Sequence, residues 1–313
     1  MKPVQATAPG KVILFGEHAV VYHRPAIAVP VADVRARAIL QTGRSGHGFR
    51  IVAPDLNRDY RLDEAEPDDP LATIVYLACQ HLGQAIPSES TLTVTSTIPL
   101  GRGLGSGAAI STVIVKALGR YFGRRLPPAE LSALVYEVEK HYHGTPSGID
   151  NTVVAFEQPV YFIKGRPLQR MKVGRPFTLV VGDTGLVAPT HRVVGDLRQR
   201  WQAAPELFEG YFDEIGAIAG QARVAIEHEL VETQVIGKLM DQNQELLETI
   251  GVSSPELERL IVAARQAGAL GAKLSGAGWG GNMIALVQPD RAPAVAKALT
   301  EAGATGVIVT RVK

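Results

Sequence analysis

The sequence predicts a mixed α/β fold, α+β in the way its elements segregate, with a soft division near residue 165. Three observations lead there. The first third is β-rich, with short apolar or alternating runs at Val12–Phe15, Ala26–Val31, Val34–Leu40 and Phe49–Val52, broken by Gly, Pro and charges. A strand, a glycine-rich turn and a helix follow one another over residues 92–121. The tail alternates β and α elements, and no flexible linker separates it from the rest.

Taken in order, Asp55–Pro70 is acidic, polar and Pro-punctuated, which reads as a surface excursion. Leu71–Leu82 reads as a helix. Leu92, Val94 and Ile98, set among threonines, read as a strand. Ala108, Ile110, Ile114, Ala117, Leu118 and Tyr121 then fall on one helical face. Pro127–Tyr142 is a further helix with Pro at its start. Short strands and basic turns fill Glu157–Arg175, Thr178–Val181 is a buried strand, and Thr190–Glu248 is mostly helical. Ser254-Pro255-Glu256 opens a helix that Gly268 stops, and strands at Met283–Val287 and Val307–Val312 bracket the helix Ala292–Ala302.

Between strand and helix lies Pro99-Leu100-Gly101-Arg102-Gly103-Leu104-Gly105-Ser106-Gly107-Ala108-Ala109. Glycines at alternate positions contribute nothing to a core and lose the most backbone freedom on folding. A turn stripped of side chains before a helix start offers backbone N–H groups and a positive dipole end to an anion, and a phosphate fits that description. The turn lacks the Lys-Ser/Thr ending of a Walker A loop. It also fails the dinucleotide fingerprint, since Ser106 stands where its third glycine belongs. The bland alternative is a structural turn without a ligand.

Composition narrows the classes. The 313 residues allow one large domain or two intimate ones. A formal charge of +1 gives no general attraction to nucleic acid or to an anionic membrane. Cys79 is the only cysteine and reads as a small core residue in a reducing compartment. No secretory signal and no apolar run near the roughly 20 residues of a bilayer span is visible, so a cytoplasmic location is expected.

Three further clusters carry chemistry. Pro9-Gly10-Lys11 opens a strand, and Gly16-Glu17-His18 follows it; the alternative for these charges is a Glu–Lys ion pair tying down a strand end. Glu139 lies near a helix end, and Asp150 lies past the turn Gly144-Thr145-Pro146-Ser147-Gly148. Phosphoryl transfer needs a carboxylate for Mg²⁺ and often a second to orient the attacking hydroxyl, whereas a turn or capping acid is the plain reading. His141 and His143 are two residues apart and read as packing or turn residues. Lys273-Leu274-Ser275-Gly276-Ala277-Gly278-Trp279-Gly280-Gly281-Asn282 is a second glycine-rich turn leading into a strand, and two such turns suggest mutual approach or a shared ligand.

Together these runs resemble the three motifs of the GHMP kinases, a family of small-molecule kinases acting on galactose, homoserine, mevalonate and phosphomevalonate. Gly16-Glu17-His18-Ala19-Val20-Val21-Tyr22 and His143-Gly144-Thr145-Pro146-Ser147-Gly148-Ile149-Asp150-Asn151 are most similar to the mevalonate kinase branch. The resemblance implies a two-domain GHMP kinase-like fold, residues 1–165 being an N-terminal ATP-binding domain and 166–313 a C-terminal domain, with the nucleotide at their junction. It implies ATP and Mg²⁺, mevalonate as the other substrate, and a homodimer. By the same resemblance Asp150 is the catalytic acid–base residue and Lys11 its charge-stabilising partner. Pro99, Gly101, Arg102, Gly103, Leu104, Gly105, Ser106, Gly107 and Ala108 cradle the ATP phosphates. Glu139, with Ser106, holds Mg²⁺. Glu17, His18 and Thr190, with Lys11 and Asp150, line the acceptor pocket. Sibling kinases (mevalonate 3-kinase, phosphomevalonate kinase, homoserine kinase), a decarboxylase and a non-catalytic binding relative are the rival readings. Two departures stand out: Gly107 replaces a second loop serine that supplies a metal ligand in related kinases, and Trp279 and Asn282 replace a glycine and a cysteine.

Overall fold

A computed structural model of the protein describes residues 2–43, 48–143, 146–187, 189–230 and 233–313, the side chains of Tyr142 and His143 excepted. Gly144, Thr145 and the His143 side chain of the turn before Asp150 therefore lie outside the described residues. The strands and helices run, in chain order, β1 (Val4–Phe15), β2 (Ala26–Thr42), β3 (Phe49–Ala53), β4 (Arg58–Arg61), α1 (Pro70–Leu82), β5 (Ser90–Ser96), α2 (Ser106–Tyr121), α3 (Pro128–His143) and α4 (Ile149–Phe156). They continue with β6 (Val160–Phe162), β7 (Gln169–Arg170), β8 (Phe177–Asp183), α5 (Thr190–Ala203), α6 (Pro205–Glu227) and α7 (Thr233–Thr249). The last are α8 (Pro255–Gln266), β9 (Gly271–Ser275), β10 (Asn282–Val287), α9 (Ala292–Glu301) and β11 (Gly306–Val312).

Two compact units emerge, and the chain passes between them several times. One holds residues up to Gly10, Val34–Leu100 and Gly105–Glu157; the other holds Lys11–Asp33, Gly101–Leu104 and Gln158–Lys313. In the first unit β5 pairs antiparallel with Ala36–Thr42 of β2 and parallel with β3, which pairs antiparallel with β4. Helices α1 to α4 pack on one another, and α2 rests on β5. In the second unit the strand order is β11-β8-β10-β9, all antiparallel, with α8 and α9 against the sheet and α7 along β9. Every residue of β8, β9 and β10 is buried.

Several sequence expectations need correction. The runs at 26–31 and 34–40 form the single strand β2, continuous through Ala32 and Asp33. Pro30 falls between Ala26–Ala28, paired to β6, and Ala36–Thr42, paired to β5. The 55–70 segment is the surface excursion expected, mostly exposed, and it carries a short strand: Arg58–Arg61 forms β4, and Arg50 of β3 holds Asp59 at 2.6 Å. Asp69 of the same segment is buried and caps α1, accepting from the Ala72 amide at 2.8 Å. Lys11 lies inside β1 rather than at its start. Lys273, Leu274 and Ser275 belong to β9, so the late glycine turn is only 276–281. Ser254 does cap α8, and Cys79 is a core residue whose thiol burial pushes up to about 11.

The segment after β1 is a short 3₁₀ turn, Ala19–Tyr22, seated in the second unit by aromatic packing. Tyr22 stacks on Phe212 of α6, with ring centroids 4.1 Å apart, and tilts against Trp201 of α5 at 5.2 Å. Phe212 is fully buried, so deleting its ring leaves a cavity beneath the residues that follow Glu17 and His18. Phe212→Ala is expected to lower the unfolding free energy by about 3–5 kcal/mol, read by urea denaturation. A loss below about 1 kcal/mol would show that this packing does not hold the segment.

Candidate active site

The glycine loop has a conformation that only its glycines take without strain. Gly101, Gly103 and Gly105 have φ of 68°, 78° and 71°, and a Cβ at 101 or 103 would meet nothing within 4 Å. Backbone conformation rather than crowding therefore demands glycine there. Gly105 is the residue before α2, so no side chain caps the helix, and its first N–H groups are open to an anion. The loop is held through its carbonyls. The Lys11 amide donates to Leu104 O at 2.9 Å, and Asn282 Nδ2 donates to Arg102 O. The Arg102 side chain lies with Nε 3.6 Å from Asp183 Oδ2, while its Nη1 is buried without a hydrogen-bond partner among the described residues. Asp183 in turn accepts from the Gly185 amide at 2.8 Å. The late glycine turn thus touches the early one, as the recurrence of the pattern suggested.

Trp279, the other departure, has its indole Nε1 donating to Gly251 O at 2.9 Å and its amide donating to Val252 O at 2.9 Å. Beside it, a Cβ on Gly278 would stand 1.9 Å from Val252 O. Trp279 therefore fastens the turn to the end of α7, and it stacks on no other described aromatic ring.

Lys11, Glu17 and His18 are all buried in the second unit. Glu17 does form a Glu–Lys ion pair, but with Lys273 of β9, 256 residues away in sequence, and both side chains are fully buried. Burial pushes the Glu17 carboxyl up and the Lys273 amine down, and each partner's charge opposes the other's shift; Lys11 adds to the field on Glu17. Glu17 Oε2 has no hydrogen-bond partner among the described residues, nor has Nδ2 of the neighbouring Asn243, whose Oδ1 accepts from the Gly16 amide at 3.4 Å. Ser275 Oγ donates to Ile13 O at 2.9 Å and accepts from the Ile13 amide at 3.1 Å, binding β1 to β9. Sequence reasoning placed Lys273 and Ser275 in the second glycine-rich run without giving either a role of its own, and it missed Asn243. The one signal was a lysine set in the apolar run Gly271–Ser275.

His18 sits at φ 62° and its Nε2 lies 2.8 Å from Ala277 O. A carbonyl only accepts, so Nε2 carries the proton and Nδ1 keeps its lone pair. Burial, the Ala277 contact and the nearby charges of Arg200 and Lys273 leave its pKa at about 4. The ring is neutral near pH 7. Thr190, the first residue of α5, is exposed.

The first unit holds Pro99, Gly105–Ala108, Glu139 and Asp150. Glu139 is on α3, and a Cβ on Gly107 would lie 3.4 Å from its Oε1. Asp150 is half-buried in the first turn of α4, a helix again preceded by a glycine, Gly148 at φ 87°. Thr152 Oγ1 donates to Gly148 O at 2.6 Å, and Asn151 Nδ2 donates to Ser132 O at 3.0 Å and to Ser132 Oγ at 2.9 Å. Those bonds fix the start of α4 on α3 and hold Asp150 in place. His141 is exposed.

The family model of the GHMP kinases N terminal domain matches residues 71–158, and that of the GHMP kinases C terminal matches residues 206–305. The chain belongs to the GHMP kinases. A relative from Pyrococcus horikoshii named mevalonate kinase is 37% identical over 100% of this chain and 96% of its own. Another of that name, from Thermococcus sibiricus, is 36% identical over 97% of this chain and 95% of its own. The crystal structure of L. major mevalonate kinase in complex with R-mevalonate superposes with a TM-score of 0.85 at 29% identity, over 99% of this chain and 95% of the other.

Because the folded-state pKa of His18 lies below the ordinary 6.5, the unfolded chain binds a proton there that the native GHMP kinase fold refuses. Stability is therefore lost as pH falls from 6.5 towards 4, by about 3 kcal/mol at the full shift. In urea denaturation at pH 7 and pH 4, His18→Gln, which keeps a donor for Ala277 O, should lose less stability than the wild type by about that amount. Equal losses would mean that His18 is not refusing a proton in the native state.

Proposed function

We propose that this GHMP kinase phosphorylates mevalonate with ATP, giving 5-phosphomevalonate and ADP. The observation that carries the reading is the 37% identity, along the whole chain, to a relative named mevalonate kinase. The local geometry supports it. The uncapped start of α2 behind the positive-φ glycines offers amides to the ATP phosphates, with Pro99, Gly101, Arg102, Gly103, Leu104, Gly105, Ser106, Gly107 and Ala108 forming that cradle. Asp150 takes the proton of the acceptor hydroxyl as it attacks the γ-phosphorus in line. Lys11 supplies positive charge from a buried position, where it counts for more than it would in water. His18 Nδ1 offers an acceptor for a substrate hydroxyl, and Glu17 and Thr190 complete the acceptor side.

The residues present fit Mg²⁺. Glu139 brings a carboxylate beside position 107 and Ser106 a hydroxyl next to it, leaving the remaining oxygen positions to phosphates and water. When bound, the ion neutralises charge on the phosphates. In this reading residues 1–165 form the ATP-binding domain and 166–313 the C-terminal domain, and the enzyme is a cytoplasmic homodimer. No helix among the described residues is long and apolar enough to cross a membrane.

Asp150→Asn is expected to fold normally and to lose at least about 10²-fold in turnover. Near-normal turnover would remove Asp150 from the proton transfer. Gly107→Ser restores the missing hydroxyl beside Glu139, and φ at 107 is not in the left-handed region. That variant should reach half-maximal activity at severalfold lower Mg²⁺, about 1 kcal/mol for one added oxygen ligand; an unchanged Mg²⁺ dependence would place position 107 outside the metal's reach. Phosphorus NMR on a panel of alcohols tests the acceptor itself. Phosphate transfer to homoserine or phosphomevalonate in preference to the mevalonate 5-hydroxyl would replace the proposal with a sibling activity.

A further inference from the structure

Within the first unit, a cavity of about 230 Å³ lies where the C-terminal end of α2, the turn into α3 and the end of α4 meet. Lys116, Arg120, Arg124 and Arg125 line it, with the single carboxylate of Glu157 and an apolar floor that includes the buried Leu131. Lys116 is paired with Glu157 at 2.6 Å, and Arg124 with Glu130 at 2.5 Å. Arg120 donates only to the main-chain carbonyl of Gln5, and Arg125 makes no ion pair among the described residues. Two guanidinium groups in one concavity are therefore without a counter-charge among the described residues. Burial raises the Glu157 carboxyl, yet hydrogen bonds and charge from Lys116 and Arg35 outweigh it and hold it below the ordinary range.

We propose that this cavity is a second anion site of the enzyme, taking a small polyanion of the phosphate class. Arginine forks present several N–H donors in a plane that matches phosphate oxygens, and converging forks favour a multiply charged oxyanion over a lone carboxylate. The volume lies below the roughly 300–1,000 Å³ of pockets for drug-sized ligands, so the site suits a pyrophosphate-sized group and excludes a whole nucleotide. It is not the glycine loop. Arg120 stands near the far end of α2 from Ser106, about 20 Å along the helix at 1.5 Å per residue. The positive end of the α2 dipole serves the loop, and side-chain cations alone make the second site.

The test is calorimetric titration of inorganic pyrophosphate into the full-length enzyme, in metal-free buffer with the glycine loop saturated by ADP. ADP binding is titrated first, so a failure of the kinase reading shows up separately. One pyrophosphate per chain should bind in the presence of ADP, with affinity falling as salt is raised. Arg120→Gln/Arg125→Gln should weaken it at least tenfold, and Arg125→Gln alone at least threefold, while Tm and kinase turnover stay within error and within twofold of the wild type. Arg125 is exposed and makes no ion pair among the described residues, so the single variant tests the site even if the Arg120 change disturbs folding. Loss of pyrophosphate binding once ADP is present would overturn the proposal, because the anion would then belong to the loop. Unchanged affinity in both variants would overturn it equally.

Discussion

Two opposite charges without access to water, Glu17 and Lys273, organise the second unit of this protein. Neither could be buried alone. Removing one partner of such a pair typically costs 3–5 kcal/mol, because the survivor's charge is left without compensation. Their pairing therefore fixes the residues that follow β1 against β9, and the two bonds between Ser275 and Ile13 repeat the constraint one step further along. His18 inherits its place from that junction, and the Ala277 carbonyl selects its tautomer. In the proposed reading the same residues form both a structural ion pair and a wall of the acceptor pocket. Glu17 Oε2 and Asn243 Nδ2, without hydrogen-bond partners among the described residues, are where hydrogen-bonding capacity remains.

The glycine loop follows a different economy. Its carbonyls at Arg102 and Leu104 are taken by protein donors, and its helix start is left uncapped. A side-chain cap on α2 would compete with a phosphate for the same amides, so the missing cap is in keeping with the proposed phosphate site. Asn282 and Trp279 read in sequence as departures from a familiar pattern. In the structure each is a donor to a backbone carbonyl, Asn282 to the loop and Trp279 to the end of α7. A cysteine or a glycine at those positions would make neither bond as strongly. Gly107 is the converse case, a side chain withheld where Glu139 already stands close.

Most of the local architecture was legible along the chain. Alternation in Leu92–Ile98, the helical face from Ala108 to Tyr121, the Ser254 cap and the Gly268 stop all depend on neighbours within a few residues. Where the sequence misled, a tertiary pairing had absorbed a local signal. The runs 26–31 and 34–40 read as two strands parted by Ala32 and Asp33, but they form the one strand β2, paired to β6 at one end and to β5 at the other. Within the surface excursion before α1, Asp69 caps the helix from a buried position that composition does not show.

The amino-acid sequence alone determined the glycine loop and the helix that follows it, since turn conformation and side-chain periodicity are properties of adjacent residues. Only the tertiary structure decided that Glu17 answers Lys273 rather than Lys11, that Asn282 holds Arg102, and that Glu157, just after α4, meets Lys116 of α2 at one cavity. Those contacts join residues up to 256 positions apart, and no local rule links them. Burial then set their chemistry: charges in a dry interior must find partners, and which partner is within reach is known only once the strands are in register.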